Sequence, residues 1–385
     1  MPVLSLGGMR FQQSWSDLEA QAITVRSQQL LQRTLERAVD LGFHHIETAR
    51  HYGSSERQLG WAMPDCPDPS RILQTKVPPQ QDPALFEAEL ELSMQRLGVQ
   101  RVDLLAIHGI NRRDHLAQTI RPGGCLEVAR RWQQSGRIGH VGFSTHGDTD
   151  VIVEAIETDA FDYVNLHWYF IRQDNEPAIA AAHRHDMGVF IISPTDKGGH
   201  LHTPAQRLVE LTAPLHPIVF NDLFCLRDQR VHTLSVGAAC PQDLDLHLEA
   251  VSCLEDALAL VSPIEARLHQ AEEEALGPDW LSSWRQGLPG WQDTPGEINL
   301  PVLLWLHNLV ESWGLESYAR ARYGLLGRAG HRFPGANADA LDRDVSEEEL
   351  DAALLDSPWR SSIPERLRNL RERVGGERQE RLSSA

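Results

Sequence analysis

The sequence predicts a (β/α)8 barrel followed by a small all-α domain. Three observations carry this. Eight short apolar runs recur between Val3 and Gly237, helix-period segments closed by glycine lie between them, and after Val251 only helical patterns continue.

The runs are VLSLGG (3–8), HHIETA (44–49), ILQTKV (72–77), VDLLAIH (102–108), HVGFST (140–145), YVNLHWY (163–169), VFIISP (189–194) and HTLSVG (232–237). Near-continuous apolar character suits parallel strands buried on both faces. Leu31, Leu35, Ala38 and Val39 share one helix face, and Gly42 closes that helix. Phe86, Leu90 and Leu97 repeat the pattern before Gly98, and Gly136 and Gly188 are expected to end two later helices. Thr149 and Pro241 open the helices after the fifth and eighth strands. A doubly wound open sheet is the competing architecture, but no GxGxxG follows a strand.

Segments 263–276, 300–313, 315–323, 346–355 and 364–374 read as helices. Pro301 opens one and Gly314 stops it, while Ser346 and Glu349 form a capping box for another. The expected domains are a barrel over 1–258, a helical domain over 259–375 and a disordered tail over 376–385. Thr294-Pro295 is followed by Pro301, and Ser357-Pro358 at the same interval by Pro364, as in a duplicated unit. Trp280, Trp284, Trp291, Trp305 and Trp313 crowd this region, chiefly as core filling and secondarily as a protein-partner surface.

The chain has 385 residues and a net charge of −18, which argues against non-specific binding to nucleic acid or anionic lipid. No basic stretch followed by a long apolar core is seen near Met1, and the run from Leu300 to Val310 is too short to span a bilayer. Five scattered cysteines without a CxxC pair suit reduced thiols, so a cytoplasmic location is expected.

Glu47, Tyr52, Lys76 and His108 each fall at or just past the end of a predicted strand, where barrel sites are built. A free phenol, with a pKa near ~10, protonates a carbonyl poorly, but an adjacent ammonium favours the phenolate and lowers that pKa. Lys76 is placed to do this for Tyr52, Glu47 to keep Lys76 charged, and His108 to orient a substrate oxygen.

With its Thr75-Lys76 and Ile107-His108 pairs, the pattern from Glu47 through Tyr52-Gly53 to Leu59-Gly60 resembles the aldo/keto reductase family, and the likeness extends over roughly 1–255. The resemblance implies an NAD(P)H-dependent oxidoreductase reducing an aldehyde or ketone, with Tyr52 as general acid. Glu47 stands where the family has Asp. The resemblance also implies a cofactor set of Met9, Arg10, Ser144, Thr145, Asn165, Ser193, Pro194, Lys197, Gly198, Gly199, Gly237 and Asp243, with Asn165 in place of Gln. Gly237 and Asp243 replace common Lys and Arg positions, and an Asp would repel a 2′-phosphate. NADP is therefore expected from the family, with NAD as its rival.

His51, Trp168 and Tyr169 are expected to line the pocket for a small-molecule carbonyl substrate. The whole chain is most similar to the branch with a C-terminal ferredoxin-like domain. The cluster cysteines of that branch are missing here, so no iron–sulfur cluster is expected. A non-catalytic or slow cofactor-sensing scaffold is the alternative. A metal-dependent hydrolase is a weaker one, because no His-x-His in ligand-like company ends a strand; no metal is expected.

Overall fold

The structure is a computed structural model describing residues 1–328 and 333–376. The eight predicted strands form one closed parallel barrel: β1 (Leu4–Gly7), β2 (His45–Glu47), β3 (Ile72–Val77), β4 (Val102–His108), β5 (Ile138–Ser144), β6 (Tyr163–Leu166), β7 (Gly188–Ile192) and β8 (Thr233–Gly237). Each strand pairs with its sequence neighbour, and β1 pairs with β8 to close the ring. Helices between the strands include Val25–Asp40, Ser55–Ala62, Pro83–Leu97, Cys125–Gln134, Thr149–Glu157 and Glu176–Arg184. This is the expected (β/α)8 barrel, accompanied by C-terminal helices.

The helix punctuation follows local chemistry. Thr24 caps the first helix through Ser27 N–H, Asp82 caps the helix over Pro83–Leu97, and Gly98 ends the latter in the left-handed conformation at φ 69°. One expectation is corrected: Gly188 is the first residue of β7, and the left-handed turn after the preceding helix is made by Asp186 at φ 51°. Thr149 opens its helix as expected, with Asp148 at the cap position.

The barrel interior is layered. Leu104, Ala106, Tyr163 and Phe190 form an apolar cluster with Ile72 beside it, and the Tyr163 and Phe190 rings stack at 4.8 Å. A polar chain also crosses the barrel. His45 Nε2 donates to Gln74 Oε1 at 3.1 Å, and Gln74 Nε2 donates to Asn165 Oδ1 at 2.9 Å. Burial pushes the His45 pKa down to about 3, so the ring is neutral at working pH.

The described residues divide into two compact units, one of residues 1–198 and 218–257, the other of 199–217 and the described residues from Leu258 to 376. Residues 199–217, which the sequence assigned to the barrel, therefore pack with the C-terminal helices. That unit contains Ala257–Leu276 (but for its first residue), Pro278–Ser283, Leu300–Trp313, Glu316–Leu325, Glu347–Ala353 and Ile363–Val374, and the Ser346–Glu349 capping box is formed. Trp280 is buried, donates to Asn308 Oδ1 at 2.9 Å, and carries the Arg366 guanidinium 3.9 Å above its ring. Of the expected tail, 377–385 lie outside the described residues.

Candidate active site

Glu47 ends β2, Lys76 lies within β3, His108 ends β4, and Tyr52 sits on the loop after β2. The barrel brings all four together. Lys76 is fully buried and its ammonium has three partners for its three N–H bonds: an ion pair with Glu47, the Thr48 carbonyl at 3.0 Å and the Tyr52 hydroxyl oxygen at 3.3 Å. Burial pulls the Lys76 pKa well below the usual lysine range, and the paired carboxylate acts in the opposite sense. The Tyr52 oxygen accepts from Lys76, so its own proton is directed elsewhere. The His108 ring meets the Tyr52 ring edge-on at 5.8 Å, and the exposed His51 lies 6.5 Å from His108.

The loop carrying Tyr52 is held from below by Arg50. This buried guanidinium pairs with Glu56 at 3.1 Å, Glu89 at 2.9 Å and Asp17. Asp17 also pairs with Arg96, which ties the loop after β1 to the same scaffold. Gly53 has φ 54°, and a Cβ there would lie 1.7 Å from the Ser14 carbonyl oxygen. Only glycine permits this approach, which brings Trp15 edge-on to Tyr52 at 6.3 Å.

On the other side of the mouth, Ser144 ends β5 and its hydroxyl accepts from Gly109 N–H at 3.2 Å. Thr145 donates to the Ile110 carbonyl at 2.7 Å. Asn165, on β6, accepts from Gln74 through Oδ1, whereas its Nδ2 is buried without an acceptor among the described residues. Ser193 adopts φ 55° and leads into a short turn of helix over Pro194–Lys197. A Cβ on Gly198 would come within 2.0 Å of the Pro194 carbonyl oxygen. Gly199, at φ 126°, is the first residue of the other unit.

Lys197 Nζ lies 3.1 Å from both His146 Nδ1 and His167 Nε2, and these two ring nitrogens are 2.8 Å apart. The Tyr169 hydroxyl donates to the Ile192 carbonyl, so its oxygen accepts from His167 Nδ1–H at 2.5 Å. A neutral His167 thus presents a lone pair at Nε2 toward the lysine. At the β1–β8 seam, Arg10 bonds Asp243 at 3.3 Å and the Gly237 carbonyl at 3.2 Å, while Met9 accepts from Gln12 at 3.2 Å.

Tyr169 is fully buried with its hydroxyl engaged, and the buried Trp168 ring packs on Phe224 at 4.9 Å, so both are core residues rather than lining. Sequence reasoning missed Trp15, His146, His167 and Ser235. Ser235 donates to Glu47 Oε2. The two-residue alternation along a strand could have marked Ser235 and His167, which lie two residues from Gly237 and Asn165 respectively. Among the described residues, no three His, Cys, Asp or Glu side chains converge as a metal site requires.

The sequence profile of the aldo/keto reductase family matches residues 3–207. No curated protein matches the chain. Among solved structures, the fold is similar to an aldo-keto reductase from Bacillus halodurans in its holo form, with 17% identity, a TM-score of 0.54, and coverage of 68% of this chain and 92% of that one. It is also similar to an aldo-keto reductase from Klebsiella pneumoniae in complex with NADPH, with 18% identity, a TM-score of 0.54, and coverage of 67% and 89%. A glycerol dehydrogenase from Gluconobacter oxydans gives 17%, 0.53, and coverage of 68% and 92%. With the profile matching more than half of the chain, which folds as a closed eight-stranded barrel with C-terminal helices, the chain belongs to the aldo/keto reductase family.

Proposed function

We propose that the protein reduces a small-molecule aldehyde or ketone with NAD(P)H, using Tyr52 as general acid. The observation that carries this reading is the contact of the buried Lys76 ammonium with the Tyr52 oxygen, backed by Glu47. A bound reduced nicotinamide supplies the hydride to the carbonyl carbon. Tyr52 donates its proton to the carbonyl oxygen, Lys76 stabilises the resulting phenolate, and His108 orients the oxygen from the facing strand end. Trp15 and His51 flank Tyr52 and His108 and suit the edge of a substrate pocket.

The residues present fit such a cofactor. Asn165 Nδ2 is a buried donor in need of an acceptor, as a carboxamide oxygen would provide. The Lys197–His146–His167 cluster beside the close turn at Gly198 suits the pyrophosphate. The structural neighbour from Klebsiella pneumoniae binds NADPH. The family resemblance favours NADP(H), whereas Asp243 at the expected 2′-phosphate end leaves NAD(H) in contention, with Arg10 as the local cation. The C-terminal helical unit reads as a ferredoxin-like domain without its cluster, since no cysteine follows Cys253, and it is retained as packing or a protein-partner surface. The absence of clustered cysteines agrees with a cytoplasmic enzyme.

The test is a fluorescence titration of the purified protein with NADPH and NADH, followed by turnover of generic aldehydes and ketones. Saturable binding is expected, with a drop of about 10²–10⁴-fold in kcat for Tyr52→Phe. No binding of either nucleotide would overturn the reading. Unchanged turnover in Tyr52→Phe would favour the cofactor-sensing scaffold.

A further inference from the structure

We propose that Ser235 is a positioning residue for the Lys76–Tyr52 pair, acting through Glu47 across a gap left by Gly7. The proposal rests on Tyr52 being the proton donor. β1 lies between β2 and β8, with Glu47 in register with Gly7, and Gly7 in register with Gly237. Neighbouring strands are about 4.8 Å apart, so the backbones of β2 and β8 are separated by roughly 10 Å. The Ser235 hydroxyl nevertheless donates to Glu47 Oε2, while Oε1 pairs with Lys76 on β3. One carboxylate is thereby held from both sides.

Gly7 makes this span possible. A Cβ at residue 7 would lie 2.9 Å from Ser235 Oγ and 3.2 Å from the Val236 carbonyl oxygen, so any side chain would compete with the hydroxyl for its place. The length of Glu47 is the third part of the arrangement. An aspartate is shorter by one carbon–carbon bond, about 1.5 Å, and could serve Lys76 but not reach Ser235 as well. Glu47 and Ser235 are 3% and 5% exposed, so water does not replace a missing donor. Without the serine hydroxyl, Oε2 would be a buried acceptor without a partner, and the Lys76 proton would be drawn toward the carboxylate. A neutral Lys76 no longer favours the Tyr52 phenolate. Ser235 touches neither Lys76 nor Tyr52 in this arrangement; it sets the charge state of the one and through it the acidity of the other.

The experiment is a pH titration of the ligand-free full-length protein labelled at tyrosine Cζ, read by carbon NMR. The chain has five tyrosines, and the Tyr52 resonance is the one lost in Tyr52→Phe. Ser235→Ala is expected to raise the Tyr52 midpoint by about one pH unit, Ser235→Thr to restore it, and Ser235→Ala in a Glu47→Asp background to leave it where Glu47→Asp alone puts it. Gly7→Ala, which displaces the hydroxyl without deleting it, is expected to shift the midpoint in the same direction, and provides a second route should Ser235→Ala not fold. In turnover, Ser235→Ala is expected to lower kcat about tenfold with KM little changed. A Tyr52 midpoint unmoved by Ser235→Ala, or moved equally in the Glu47→Asp background, overturns the proposal. The NMR readout needs no turnover, so an inactive protein with the expected shifts would refute the reductase reading alone.

Discussion

Replacing Glu47 by Gln would remove the charge partner of a fully buried ammonium while keeping the side-chain shape. Lys76 has no exposed surface and Glu47 only 3%, so solvent screening is minimal. Removing one partner of such a pair costs about 3–5 kcal/mol. At roughly 2–4 °C per kcal/mol for a barrel-sized unit, the melting midpoint should fall by roughly 6–20 °C. The lower end applies if Lys76 sheds its proton, which burial already favours. The sign with pH follows. A lysine with a depressed folded pKa contributes stability above its unfolded value, near ~10.4, and that contribution is lost as pH falls through the folded value. The deficit of Glu47→Gln should therefore widen as pH is lowered. Removing both charges, as in Glu47→Leu with Lys76→Met, should recover most of the stability while turnover stays lost, since a buried pair is exchangeable for apolar groups. Calorimetric scans at several pH values, with nucleotide-linked carbonyl reduction measured in parallel, check this. A Glu47→Gln midpoint within 2 °C of the parent, or a double variant no more stable than the single one, would refute the account of the Lys76 site.

Two further outcomes are expected. Burial holds the His45 pKa at about 3 against an ordinary 6.5, so its contribution is present above pH 6.5 and lost as pH falls toward 3. That loss amounts to at most about 4–5 kcal/mol; urea unfolding at pH 7, 5 and 4 should show it, and His45→Gln should flatten the profile. Gly53→Ala should cost about 2–4 kcal/mol by combining a left-handed backbone with a collision on Ser14. It should also lower kcat/KM by dislodging Tyr52, whereas a stability change under about 0.5 kcal/mol would show that the loop after β1 is not clamped there.

Much of the barrel was legible in the sequence because parallel strands buried on both faces must be apolar along their length, and each βα unit repeats the same punctuation. Glu47, Tyr52, Lys76 and His108 were legible for a related reason: a polar residue closing an apolar strand stands out, and strand ends of a barrel share one rim. Trp168 and Tyr169 misled because they also follow an apolar strand, and nothing local distinguishes an aromatic ring facing a pocket from one packed against Phe224. Residues 199–217 were assigned to the barrel because chain order places them between β7 and β8. Their partners are more than forty residues downstream, and local periodicity carries no information about which distant helices a segment packs against.

The order of the elements, their parallel pairing and the choice of candidate proton-transfer residues follow from local pattern and strand order, since hydrophobic periodicity and short right-handed connections leave few alternatives. The partners of those residues were settled only by closing the ring. Ser235 is 188 positions from Glu47 and meets it because β8 returns to β1 and Gly7 leaves room between them. Arg10 reaches Asp243 across the same seam, and Lys197 finds His146 and His167 because β5, β6 and β7 end side by side. Contacts of this kind depend on strand register and on which neighbour lacks a side chain, and those are properties of the assembled barrel rather than of any one segment.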